Sequence, residues 1–171
     1  IGRVIVRSVF DRTLFVLGRA VAVAAPAGLI IWLAANISIN GANVLSVCAA
    51  LLDPIGKIMG LDGVILLAFI LGFPANETVI PIIIMTYAAS GTIGGAGNLS
   101  ETLALFLSNG WSVRTAVCFI IFTLMHWPCS TTLLTIKKET GSLKWTVLAF
   151  LLPTAAGVLL CIAANLIFKL L

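Results

Sequence analysis

The sequence predicts an all-α fold: a polytopic transmembrane helical bundle in which two helices are broken or re-entrant. Three observations carry this. Of 171 residues, 61% are apolar even before the 15 glycines are added, and 9% are charged, against roughly 45–50% apolar with Gly included and about 25% charged in a soluble domain. With a mean hydropathy of +1.20, no polar shell can be assembled to cover a water-facing surface, so the solvent is lipid. The basic residues behind the net charge of +4 sit mostly at the ends of apolar runs, as topology signals do, and not on a nucleic-acid-binding face. Finally, two long apolar stretches are each interrupted by a proline beside polar side chains.

Residues 1–16 place Val4, Phe10, Leu14 and Phe15 near helical spacing with Arg3, Arg7, Asp11 and Arg12 between them, which predicts an interfacial amphipathic helix. It leads into a span over 14–37, rich in Gly and Ala and carrying Trp32 near its far end, with small residues for close helix approach and an interface anchor. Residues 38–43 read as a turn. The stretch 44–61 is interrupted by Asp53-Pro54, Gly56-Lys57 and Gly60, so it reads as a short helix lying at the membrane surface or re-entering shallowly.

Residues 63–90 are apolar except at Gly72-Phe73-Pro74-Ala75-Asn76-Glu77. A carboxylate and an amide in mid-membrane cost several kcal/mol unless they face protein or a wet cavity, and Pro74 frees a carbonyl one turn earlier, so a half-helix begins near this point. The Gly-rich segment 91–99 reads as a connector, not a phosphate loop. Ser100 then caps a short helix ending at Asn109-Gly110, and Ser112 caps the next. That segment, 113–137, is broken at His126-Trp127-Pro128-Cys129, followed by Ser130, Thr131 and Thr132. A basic loop at 137–144 precedes a last span over 145–168. If both the N-terminus and this loop face the cytoplasm, an even number of crossings must separate them, yet three candidates do. The resolution we favour is that one broken segment enters and leaves on the same side as a hairpin.

His126 and Cys129, at i and i+3 on a helix, would share a face and suit Fe(II), Cu or Zn, with Asn76 and Glu77 adding oxygens if the breaks meet. Equally, His126 bonds a carbonyl freed by Pro128 and Cys129 is a small packing residue, with Ser130, Thr131 and Thr132 satisfying backbone carbonyls. The four cysteines lack CxxC spacing, so no disulfide framework is expected. No HExxH or GxSxG occurs and there is one His; the chain is read as non-catalytic. It opens on Ile1 without a signal-peptide pattern, which fits a segment of something longer.

The stretches 71–77, 126–134 and 136–145, in this order and spacing, resemble the C-terminal membrane part of ferrous iron transport protein B. Leu71-Gly72-Phe73-Pro74-Ala75-Asn76-Glu77 is similar to that family's Ala-Lys-Glu stretch, with Asn76 where a Lys is usual. Pro128-Cys129 matches its Pro-Cys, and the Glu139-Thr140-Gly141 loop ending in Lys144-Trp145 matches its basic loop. The resemblance implies a single membrane domain, 1–171, of the gate or nucleoside-recognition class, with the GTPase domain and the first gate repeat absent from the chain. It implies Fe(II) as the transported ion, no tightly bound cofactor, and GTP only in the missing domain. Cys129 matches the cysteine proposed to line the iron path and Glu77 the carboxylate, while His126 falls where an apolar or aromatic residue is common.

The expected function is therefore part of a transmembrane Fe(II) translocation path, in a bacterial or archaeal plasma membrane. Cys129, Glu77, His126 and Asn76 would lie along the path and Pro74 and Pro128 would form the breaks. Its partners would be the lipid bilayer and the remainder of the transporter, with homo-oligomerisation open and no nucleic acid. The alternatives are a gate-type transporter of a nucleoside or other organic solute, and a non-transporting membrane assembly protein.

Overall fold

The structure is a computed structural model that describes residues 2–39, 42–88 and 98–170, with several side chains in the first half of the first helix left out. The Gly-rich connector thus lies outside the described residues up to 97, as do the side chains of Val4, Asp11, Arg12 and Phe15. Helix α1, Gly2–Asn36, is 35 residues long, about 52 Å at the rise of a regular helix. That exceeds the roughly 30 Å hydrocarbon core of a bilayer. The expected interfacial segment and the span after it are thus one continuous helix. Hydroxyl and amide side chains bond back within it, Thr13 Oγ1 to Val9 O and Asn36 Nδ2 to Trp32 O, which spares lipid an open polar group.

A two-residue ladder, Ser38–Ile39 against Ala42–Asn43, turns the chain into α2, Val44–Ile58, capped by Asn43 Oδ1 on Ser46 N–H at 2.8 Å. Helix α3, Gly63–Leu71, follows at 109° to α2. Two close approaches fix that corner: a Cβ at Gly63 would meet the Ala49 carbonyl oxygen at 1.9 Å, and one at Gly56 would meet Asp62 C at 2.7 Å. Gly60, at φ +75°, makes the turn itself, a conformation that costs glycine little. Asp62 caps α3 through Ile65 N–H at 2.7 Å.

Residues 72–78 interrupt the next helix before α4, Val79–Ala88, and α4 runs back along α3. Its Tyr87 hydroxyl donates to Asp62 at the very start of α3, and Trp111 Nε1 donates to Tyr87 at 2.8 Å. The α3–α4 pair is therefore a hairpin whose two open ends meet. Helix α5, Leu99–Ser108, is preceded by Asn98 as its cap position where Ser100 was expected. It ends at Asn109 and Gly110, and Ser112 caps α6, Val113–Met125, through Thr115 N–H. After the second break come α7, Ser130–Thr140, closed by Gly141 at φ +62°, and α8, Leu143–Leu170.

Among the described residues, by length and composition two helices can cross a membrane, the α6–α7 unit Val113–Thr140 and α8, or three if the bent α2–α3 pair is one span. Helix α8 packs antiparallel on α6: Cys118 and Cys161 thiols each approach the other's carbonyl, and Gly157 lies against Met125. The core gathers Ile65, Phe69, Ile82, Ile83 and Phe122, all at most 1% exposed, while Leu151, Leu152, Leu159 and Leu166 of α8 are exposed. An apolar interior beneath an apolar surface is the signature of a bundle solvated by lipid.

Candidate functional site

The two breaks meet. At the tip of the α3–α4 hairpin Pro74 has no N–H, and the Ile70 carbonyl it leaves free is taken by Phe73 N–H at 3.3 Å. Ala75 N–H closes on Gly72 O at 2.9 Å, and Ala75 O accepts both the Thr78 N–H and the Thr78 hydroxyl. Gly72 fits a tight place here, because a Cβ would sit 2.9 Å from the Ala68 carbonyl oxygen as well as 2.7 Å from Val79 Cγ2. The Phe73 carbonyl then leaves the hairpin and accepts the backbone N–H of Ser130 at 2.9 Å. Ser130 is the first residue of α7, so an otherwise unbonded helix-start donor is satisfied by the other break.

In the second break, His126 ends α6 in extended conformation and Cys129 precedes α7, also extended. The expected helical i, i+3 face shared by His126 and Cys129 is absent, because residues 126–129 are not helical. The imidazole turns instead toward aromatic rings, 4.9 Å from Phe69 and 6.1 Å from Phe122. Its Nδ1 lies 2.9 Å from Thr123 O, a carbonyl with no other helical partner since Trp127 is out of the helix. A carbonyl only accepts, so Nδ1 carries the proton, and in the neutral ring Nε2 presents a lone pair. Cys129 Sγ lies 3.1 Å from both the Thr131 and Thr132 hydroxyls.

Five buried side-chain polar atoms lack a partner among the described residues, and four belong to the breaks: Asn76 Oδ1, His126 Nε2, Trp127 Nε1 and Ser130 Oγ. Buried polar atoms are nearly always satisfied, so four such atoms in residues 76–130 single out the breaks within this bundle. Glu77 is exposed, in the short 3-10 turn Asn76–Thr78. Among the described residues no group of three or more His, Cys, Asp and Glu could hold a metal ion. The four atoms comprise three that can accept, Asn76 Oδ1, His126 Nε2 and Ser130 Oγ, and one donor, Trp127 Nε1, with the Cys129 sulfur between His126 and Ser130 in sequence.

Beside the breaks, Ile70, Phe73, Trp127 and Phe150 line an apolar cavity of about 290 Å³. Trp127 stacks on Phe150 at 5.6 Å, and Phe73 meets the same ring edge-on at 6.2 Å. Phe150 was not singled out from sequence; it is one aromatic in an apolar span, and no local pattern marks it.

A helical membrane domain in which a hairpin tip is bonded to the interruption of a neighbouring span defines the class: a polytopic all-α bundle organised around two broken segments. Within that class, the chain belongs to the family described as Gate: Nucleoside recognition, which matches residues 17–143. It is 30% identical over 141 residues to the Fe(2+) transporter FeoB of Staphylococcus aureus, covering 77% of this chain and 20% of that protein. To the Fe(2+) transporter FeoB of Methanocaldococcus jannaschii it is 31% identical over 128 residues, covering 72% and 18%. With that of Campylobacter jejuni it shares 27% over 100 residues, covering 58% and 16%. The chain spans about a fifth of the length of the first of these relatives. No solved structure matches it.

Proposed function

We propose that this chain forms part of the Fe(II) translocation path of a transmembrane transporter, with the paired breaks as the place where the ion passes. The observation that carries this is the group of unpartnered acceptors Asn76 Oδ1, His126 Nε2 and Ser130 Oγ, in breaks joined by the Ser130–Phe73 hydrogen bond. Relatives named as Fe(2+) transporters support iron as cargo. Cys129 acts as a soft transient ligand beside these harder atoms. Glu77, exposed at the hairpin tip, supplies charge compensation toward whatever protein covers it. The remainder of the transporter, with a GTPase domain and a first gate repeat, regulates the path through GTP in a bacterial or archaeal plasma membrane.

The hairpin supports one topology. Because α4 returns to the start of α3, that segment adds no crossing. With α1 taken as a crossing and the bent α2–α3 pair as none, the N-terminal arginines and the basic stretch 137–144 are separated by α1 and α6–α7, an even number, and both lie on the cytoplasmic side.

The test is Fe(II) uptake by the full-length protein at matched expression, comparing wild type with Cys129→Ser, Glu77→Gln and Asn76→Leu. Loss of flux in all three supports the path; undiminished flux in all three overturns it. A second reading, a gate for a planar organic solute, is favoured by the aromatic cavity at Trp127 and Phe150. It predicts solute uptake that Phe150→Ala abolishes and Cys129→Ser leaves intact.

A further inference from the structure

At the bundle end opposite the α7–α8 turn, the α2–α3 turn, the α5–α6 turn and the last turn of α8 enclose a cavity of about 480 Å³. It contains Asp53, Asp62, Lys57, Arg114 and Lys169. Both carboxylates are fully engaged. Asp53 Oδ1 accepts from Gly63 N–H at 3.2 Å and its Oδ2 pairs with Lys57 Nζ at 2.5 Å. Asp62 Oδ1 accepts from Ile65 N–H and its Oδ2 from the Tyr87 hydroxyl. Among the described residues Lys57 pairs with Asp53, Arg114 and Lys169 form no ion pair, and the three cations of the lining outnumber its two carboxylates by one.

A cation entering here would have to displace bonds that hold the α2–α3 corner and the hairpin base. An anion would meet two unpaired positive side chains in a lining of net charge +1, three cations against two carboxylates, and one of them is a planar guanidinium whose fork matches phosphate geometry. The surroundings narrow the source. Ile58, Leu107, Val113 and Leu170, near the cavity's rim in sequence, are 59%, 59%, 73% and 88% exposed, an apolar surface of the kind that lipid chains cover in a membrane bundle. Lys169 closes a 28-residue apolar helix, which puts it at headgroup depth.

We infer that this cavity is a binding site for a phosphate group, held by Arg114 and Lys169 and presented by an anionic phospholipid whose acyl chains lie along the exposed apolar rim. The site stands apart from the two breaks and does not depend on what passes between them. An occupant there would tie α2, α6 and α8 together at the same end where Tyr87 closes the hairpin on Asp62.

The test uses the full-length protein in a zwitterionic detergent. Thermal unfolding is followed with phosphatidylglycerol, with phosphatidylcholine, and with inorganic phosphate, for wild type, Lys169→Gln and the double variant Arg114→Gln/Lys169→Gln. Phosphatidylglycerol should stabilise the wild type more than phosphatidylcholine does, and the double variant should bind it about 30-fold more weakly, each cation contributing near 1 kcal/mol at a lipid surface. Lys169→Gln, at an exposed helix end, should fold normally and show part of the loss. Stabilisation by inorganic phosphate that the variants lose would keep the phosphate site and identify a soluble source. Equal responses to phosphatidylglycerol in wild type and both variants, or no phosphate-specific response in the wild type, would overturn the proposal.

Discussion

The backbone N–H of Ser130 donates to the carbonyl of Phe73 at 2.9 Å, so two helix interruptions 57 positions apart in sequence share one hydrogen bond. In lipid, a freed backbone group has no water to turn to. Each break therefore stabilises the other, and separating them would expose a donor and an acceptor at once.

Ser130→Pro tests this bond directly. Proline is well tolerated at a first helical position, and Cys129 already has the extended conformation, φ −60° and ψ 157°, that a following proline demands. The variant should keep α7 but leave Phe73 O unsatisfied, at a cost of about 1–3 kcal/mol. Unfolding temperature should fall by several degrees and transport should drop sharply, whereas Ser130→Ala, which keeps the N–H, should be near wild type in stability. Equal stabilities for the two would show that the bond contributes little.

Tyr87→Phe removes the hydroxyl that receives Trp111 Nε1 and donates to Asp62. Two polar groups at the hairpin base then lose a partner, at roughly 1–3 kcal/mol for each that stays dry. Hydrogen exchange should quicken across α3 and α4 with little change in α8, a pattern read by exchange mass spectrometry in detergent.

Gly63→Ala places a methyl 1.9 Å from the Ala49 carbonyl oxygen, a backbone atom that cannot swing aside. The α2–α3 corner must open, with destabilisation at or above the roughly 1–3 kcal/mol typical of overpacking. Gly18→Ala, where nothing lies within 4 Å, is the matched control and should unfold at the wild-type temperature or slightly above it.

Thiol labelling separates a wet break from a dry core. Cys118 and Cys161 are 0% exposed and should resist a water-soluble maleimide, while Cys129, half-buried beside unpartnered polar atoms, should react in a Cys48→Ala background. Fe(II) should slow that reaction if it visits the sulfur. Cys129 labelling no faster than Cys118 would remove water, and hence an ion, from the break.

The sequence marked both interruptions because each is a local event: Pro74 and Pro128 cannot donate, and Asn76, Glu77 and His126 are too polar for uninterrupted lipid-facing helix. The Ser112 cap was legible for the same reason, being short-range backbone chemistry, whereas the loop expected at 137–144 is only the turn Gly141-Ser142, because Lys137–Thr140 continue α7 and Leu143 already begins α8. Cap choice at α5 was not, since Asn98 and Ser100 compete on nearly equal terms. Nor was the fate of His126, whose i, i+3 relation to Cys129 held only while the helix continued.

By itself, then, the sequence determined a lipid-solvated all-α chain and the two places where its helices must break, because composition and missing N–H groups act without reference to any distant residue. The tertiary structure decided that the first broken segment folds back until Tyr87 reaches Asp62, and that its tip lands on Ser130. It also decided that Arg114 and Lys169, 55 positions apart, line one cavity with Asp53, Lys57 and Asp62. Those outcomes depend on close contacts at Gly63, Gly72 and Gly157 and on single long-range hydrogen bonds. In a bilayer, where apolar burial scarcely distinguishes one helix pairing from another, such contacts select the arrangement.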